Sequence, residues 1–435
     1  MPSLQRSAST STVPTQPGRI AIDKLVASAL AMLFAVPSGV STSMSLGGAI
    51  ALLLAPVTFP PLWRNTRGRW LIVALVALVP SGWLVAQGSL LQDQGRTFSA
   101  KFFLFEAALP VGLTASVIGA YWCITKLGLQ RSLVLFFAGL LIAAPVFYER
   151  LQDNAWKYGL ALPVSMLVIL FLARSRPLLV LVITPLLAAV SIASDFRAWI
   201  AFLAIAAMLA VLAGSQRKRP SASRIASFGL ITVFASTIVA WLITQAATAG
   251  MLGAYLEQRT REQLEGSGGN LILGGRPEWG AAIALWRQNP LGMGIGVTPS
   301  SDDYWLAVRS MPFSTRAQQD ISTVAASFQQ GLINFHSTFW TFWGVYGAAG
   351  VLFAVLTLAY TSHAAMVASA TLKSVGLRAA VILLMLSTIW DVLFSPMVVP
   401  HLAIAIAAAL HILQELKRPA EIRTKDPVDE NTSPH

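Results

Sequence analysis

The residues best placed to do chemistry are two arginines and a histidine, each beside an apolar run. Arg276 stands between two glycines and a proline in LILGGRPEWG. Two readings fit it: a solvated loop arginine, as most arginines are, or a planar five-donor fork that grips an anionic group. His336 precedes an apolar run in NFHSTFWTFWGVYG, where it either bonds lipid or backbone at an interface or accepts a proton. Arg197 lies between two apolar runs in SIASDFRAWIAFLAI, and Asp195 close by is a ready neutralising partner. Glu106 and Asp391 fall in or near apolar stretches, where an ionisable group faces a cavity or a partner; Lys101 is a candidate partner for Glu106.

Other chemistries are poorly served. The single cysteine, Cys123, permits no intramolecular disulfide and no cysteine metal cluster, and it sits in an apolar run as an inert thiol would. His363, His401, His411 and His435 show no metal-ligand spacing, so neither a metal nor another cofactor is expected. Gly292, Gly294 and Gly296 in NPLGMGIG have no strand before them and no Gly-Lys-Ser/Thr after them. A nucleotide loop is therefore disfavoured, and a tight turn bringing backbone close to something is expected.

The elements that must position these residues are membrane helices. The 435 residues are 55% hydrophobic and 11% charged, with mean hydropathy +0.65, whereas soluble chains carry about 25% charge. Apolar runs long enough to span predict an all-α polytopic protein of about 12 transmembrane helices. They cover 22–37, 43–62, 70–86, 102–123, 132–148, 156–173, 177–193, 196–213, 225–247, 335–360, 377–394 and 398–415, the least regular being the second, rich in Gly and Pro, and the closely spaced pair that meets at Asp195. The organisation is thus a disordered tail 1–21, nine helices in 22–247, a large outer loop 248–334, three helices in 335–415 and a disordered tail 416–435. The first apolar run reads as a signal anchor more readily than a cleaved signal.

Within the loop, the ninth span is expected to continue outward as a helix ending near Gly266. Pro277 and Pro290 bracket a short helix lying on the membrane surface through Trp279, Ile283 and Trp286. Beyond it, Phe339, Trp340, Trp343 and Tyr346 are expected to form an interfacial aromatic belt, and Gly344, Gly347 and Gly350 to admit a neighbouring helix.

The charge balance gives the orientation. A net charge of +12 would suit a nucleic-acid partner in a soluble chain, but the basic residues cluster in alternate loops. With both termini cytoplasmic, the inner side collects 20 of the 31 Lys and Arg against 6 of the 19 acids, and the rest of the chain is nearly neutral. The basic excess therefore orients the protein, and no nucleic-acid partner is implied.

These features together resemble the O-antigen ligase and polymerase superfamily, bacterial membrane glycosyltransferases. The resemblance rests on Arg197 opening a span after Ser194 and Asp195, on Gly-Arg-x-x-Trp (Gly275, Arg276, Trp279) followed by Asn-Pro-x-Gly-x-Gly (Asn289, Pro290, Gly292, Gly294), and on His336-Ser337 with Gly347 and Gly350. It covers about residues 180–360 by motif, and nearly the whole chain by topology.

It implies a fold in the general style of C-type glycosyltransferases, in the bacterial inner membrane, with a periplasmic loop capping a lipid-accessible cavity. The donor would be an oligosaccharide on undecaprenyl diphosphate. The acceptor would be a glycan or lipid-linked glycan, and other polysaccharide-assembly proteins would be further partners. Arg197 and Arg276 would bind the departing diphosphate, and His336 would act on the attacking hydroxyl. Trp286, Tyr304 and Trp305 could stack on sugars or anchor the interface.

Polymerase of a surface polysaccharide or exopolysaccharide is the favoured member activity, with ligation to lipid A core as the alternative. A transporter would predict matched repeats and broken mid-membrane helices, and neither is seen. A non-catalytic scaffold would use the loop only to bind a partner.

Overall fold

The computed structural model describes residues 17–38, 44–93, 95–147, 152, 154–172, 178–212, 238, 241–269, 274–311 and 335–415. The tails 1–16 and 416–435, and most of the ninth expected span, lie outside these residues.

The chain folds as a helical bundle. Its first part holds α1 (Pro17–Leu33), α2 (Leu46–Leu53), α3 (Ala55–Trp63), α4 (Thr66–Gln92), α5 (Ala100–Leu127), α6 (Leu129–Ala143), α7 (Ala161–Leu172), α8 (Leu179–Ala193) and α9 (Arg197–Leu212). A π-helical turn, Trp156–Leu160, leads into α7. The long loop contributes α10 (Ala254–Gly266), α11 (Glu278–Gln288) and α12 (Ser301–Arg309), and the chain closes with α13 (Thr338–Thr371), α14 (Val375–Phe394) and α15 (Val399–Glu415).

Local sequence starts many of these helices. Asn65, Ser99, Ser337 and Ser374 each accept a backbone N–H of the first turn of α4, α5, α13 and α14, which satisfies an otherwise orphaned donor. Among the described residues, length and apolarity single out five helices able to cross a membrane, or up to six if α2 and α3 count as one broken span. Shorter apolar helices of 10–17 residues pack beside them. Helices α14 and α15 are buried on nearly every face, while Leu25, Val76, Leu84, Leu104, Ile142 and Phe171 point outward from the bundle. An apolar core inside an apolar outer surface is the pattern of a multi-pass membrane protein.

Two of the basic residues bind helix-end carbonyls. Arg378, 1% exposed, donates to the carbonyls of Ala210 and Leu372, and Arg67 donates to Leu413 at 2.9 Å. Cations so placed satisfy the orphaned carbonyls at helix C-termini.

The structure corrects several expectations. Helix α1 starts at Pro17, inside the stretch read as a tail. The second span is two short helices bent by 90° at Leu54, where Pro56 cannot continue the preceding hydrogen-bond ladder. Gly250 and Gly253, at φ 74 and 101, separate α10 from the helical residues 241–248, so α10 is not a straight extension of the ninth span. Among the described residues the named strands are one short antiparallel pair, β1 (Thr97–Phe98) with β2 (Val297–Thr298). It ties the α4–α5 turn to the long loop.

Candidate functional site

The long loop is held by its glycine block, which enters the bundle as a wedge. The amides of Met293 and Gly294 donate to the Gly344 carbonyl at 2.8 and 3.0 Å, and Ile295 donates to Gly82 at 3.1 Å. Gly292, Gly294 and Gly296 have φ of 93, 98 and 76, and a Cβ on Gly294 would sit 2.2 Å from the Ala86 nitrogen. Only glycine fits such positions. The close partner of this turn is therefore the protein's own helices α4 and α13.

Gly347, at φ 62, interrupts α13 beside this wedge, and a Cβ there would meet both the Leu291 carbonyl and Val85 of α4, so the glycines receive the loop together with the neighbouring helix that was expected. The expected aromatic belt is corrected. Trp343 and Tyr346 are buried, donating to the carbonyls of Pro290 at 3.0 Å and Glu106 at 2.6 Å. Buried aromatic polar tips require such partners. Glu106 itself accepts the Gly296 amide at 2.7 Å, a partner 190 residues away in place of Lys101.

A buried ion pair completes the anchoring. Arg96 binds Asp303 through two parallel hydrogen bonds of 2.8 and 2.7 Å and donates to Ser89 at 2.9 Å. Burial works against the Arg96 charge, but the Asp303 and Asp93 carboxylates outweigh it and raise its pKa. Asp303 also forms a capping box with Ser300 at the start of α12.

Helix α11 occupies the expected residues but presents a different face. Its buried stripe is Glu278, Ala281, Ala282 and Leu285, and Trp286 is exposed. Trp279 stacks on Phe394 at 5.0 Å and meets Trp340 edge-on at 6.0 Å. From Phe394 the ring contacts continue through Trp390, Phe202, Trp199 and Phe196. This aromatic chain holds the start of α11 against α13, α14 and α9.

Behind it lies a cavity of about 780 Å³ lined by Arg276, Glu278, His336, Arg259, Asp391 and His401, with Trp199 and Trp390 among its aromatic walls. It is built from the N-terminal ends of α7, α9 and α15, the C-terminal end of α14, and the loop segments around α10 and α11. His336 Nδ1 is 3.3 Å from Glu278 Oε1. His336 also has φ 47 and, with Asp195, is one of two non-glycine residues at positive φ among the described residues. Such backbone persists only where its surroundings enforce it, and it clusters at functional positions. Asp391, near the end of α14, lines the cavity together with Arg276.

The structure brings Arg276 and His336 to one cavity but seats Arg197 elsewhere. Arg197 donates to Thr260 at 2.7 Å and Gln263 at 3.2 Å, fastening the start of α9 to α10, with Asp195 3.8 Å away. Asp195 makes its closer ion pair with Arg259, and Arg259 lines the cavity. Trp286, Tyr304 and Trp305 are not among the lining residues; Tyr304 and Trp305 pack edge to face on α12. The sequence did not single out Arg259, which sits in a charged helical run, or Glu278, which lies in the first turn of α11; His401 gave no spacing signal. Among the described residues no three His, Cys, Asp or Glu side chains are grouped to hold a metal ion. Set against known proteins, the chain matches no protein-family model and no curated protein.

Proposed function

We propose that this protein transfers a glycan from undecaprenyl diphosphate to a sugar hydroxyl on the periplasmic face of the inner membrane, as the polymerase of a surface polysaccharide or exopolysaccharide. On this reading the fold has twelve spans, cytoplasmic termini and the style of a C-type glycosyltransferase. The observation that carries it is the meeting of Arg276, Arg259 and the Glu278–His336 pair at one cavity, at the end of an apolar bundle that bears the long loop.

The cavity volume lies within the range of ligand sites, about 300–1,000 Å³. A sugar diphosphate fits that range, with its lipid tail left in the bilayer. The guanidinium groups of Arg276 and Arg259 meet negative charge as it develops on the departing diphosphate. His336 takes the proton of the attacking hydroxyl while Glu278 holds the imidazole. The hydroxyl oxygen bonds to the anomeric carbon, and the electron pair of the breaking bond leaves with the lipid diphosphate. Arg197 acts from behind, fixing α10 and with it Arg259.

Deleting the gene and examining cell-surface glycan tests the assignment. The polymerase reading expects single repeat units; full-length glycan retained on its lipid carrier would point instead to ligation onto lipid A core. Complementation with Arg276→Ala is expected to fail, and Arg276→Lys to restore little, because lysine lacks the two-pronged donor set. Normal glycan with the alanine variant would overturn the role given to Arg276.

A further inference from the structure

A second cavity, of about 470 Å³, adjoins the first and shares Lys157, Tyr158 and Arg259 with it. Three observations mark it as built for a ligand. Lys157 and Tyr158 belong to the π-helical turn Trp156–Leu160, a distortion found mostly as single turns at functional sites. Asp195, the second residue at positive φ, lines this cavity as His336 lines the first, so each cavity holds one strained residue. Tyr158 and Tyr255, both well exposed, supply aromatic faces.

The chemistry of the walls selects the ligand. Arg259 faces Asp195 and the Lys157 ammonium lies 5.5 Å from the centre of the Tyr158 ring, and Arg276, the second guanidinium of the first cavity, does not line this one, so a diphosphate is better served in the first. Ser194, Tyr158 and Tyr255 provide hydroxyls to exchange hydrogen bonds with a ligand, and the tyrosines provide flat apolar faces. A neutral polyhydroxyl molecule with one apolar face, a saccharide, suits this set.

We infer that the second cavity binds the acceptor saccharide and delivers its terminal hydroxyl across the Lys157–Tyr158–Arg259 wall toward His336. This rests on the transfer reading for its chemistry, though not for saccharide binding itself. Tyr255 lines the second cavity and not the first, which makes it the discriminating position.

The test uses the full chain in lipid nanodiscs and, as probe, the oligosaccharide repeat unit released by mild acid from the host's own polysaccharide, free of lipid diphosphate. Saturation-transfer NMR is expected to detect binding by wild type and by His336→Ala. With Tyr255→Ala, binding is expected to weaken about five- to tenfold, the loss of one stacking face, and Tyr255→Trp is expected to recover it. Binding that ignores Tyr255→Ala, falls equally with His336→Ala, or is absent from wild type would overturn the inference.

In transfer assays Tyr255→Ala should raise the acceptor KM and leave kcat and the donor KM unchanged. A raised donor KM instead would assign the cavity to the donor glycan and sink the proposal. Tyr255-dependent saccharide binding without transfer would support this cavity assignment while removing the transfer reading.

Discussion

His336 Nδ1 and Glu278 Oε1 stand 3.3 Å apart, joining the residue just ahead of the Ser337 N-cap of α13 to the first turn of α11. The contact couples α13 to the long loop and places Glu278 beside an imidazole whose own backbone is strained at φ 47. If His336 moves the proton, its removal should slow transfer by about 10²–10⁴, the usual contribution of a positioned acid–base group. Glu278→Gln should cost less, roughly tenfold, and should add little in a His336→Ala background, since residues that act as one unit are not additive. Initial rates of the two single variants and the double variant test this; fully additive losses would separate the two residues.

The Arg96–Asp303 pair is buried at both ends, so removing one partner strands a charge. Asp303→Asn or Arg96→Met should destabilise the folded protein by about 3–5 kcal/mol, and an apolar replacement of both should recover most of that. Thermal unfolding in detergent reads the difference. A double variant no more stable than either single one would contradict the account.

Asp93 gives the outer turn an acid limit. The Gly95 amide, helped by the Ser300 hydroxyl and the Arg96 charge, holds its carboxyl below the ordinary 3.8. A lowered folded-state pKa contributes stability that is fully present above the ordinary value and is lost as pH falls through the lowered one. Melting temperatures should therefore decline below about pH 4, and more shallowly in Asp93→Asn. Equal slopes in the two proteins would contradict this.

The glycine wedge predicts a sharp contrast between two substitutions. Gly294→Ala combines φ 98 with a Cβ 2.2 Å from a backbone nitrogen, whereas a Cβ on Gly88 meets nothing within 4 Å. The first should cost more than the ~1–3 kcal/mol of a strained backbone alone and prevent correct seating of the loop. Gly88→Ala, inside α4, should be neutral or stabilising. Limited proteolysis of the long loop in detergent-solubilised protein distinguishes them, with Gly294→Ala expected to be cut readily and Gly88→Ala to resist like wild type.

Much of this arrangement was legible because it is local. Pro277 and Pro290 bracket α11, Gly266 ends α10, and the spacing of Gly292, Gly294 and Gly296 signals a close backbone approach. What the turn approaches was not legible, because Gly82, Ala86 and Gly344 lie far away in sequence. The same distance hid Gly296 as the partner of Glu106 and Asp303 as the partner of Arg96. Trp279, Ile283 and Trp286 have helical spacing, but so do Glu278, Ala281, Ala282 and Leu285, and the small residues face inward because α12 packs closely there. Arg259 stands among similar charged residues on α10. It turns to the cavity because Asp195, held at positive φ by the turn between α8 and α9, reaches it.

The central claim is that Arg276 and His336 serve one glycosyl transfer from a lipid diphosphate. Its most direct measurement is the rate at which the purified full-length protein, in nanodiscs, converts undecaprenyl-diphosphate-linked repeat units into longer glycan and free undecaprenyl diphosphate. Wild type should elongate, while well-folded Arg276→Ala and His336→Ala should each be slower by about two orders of magnitude or more. Absence of transfer by wild type, or wild-type rates from both variants, would contradict the account.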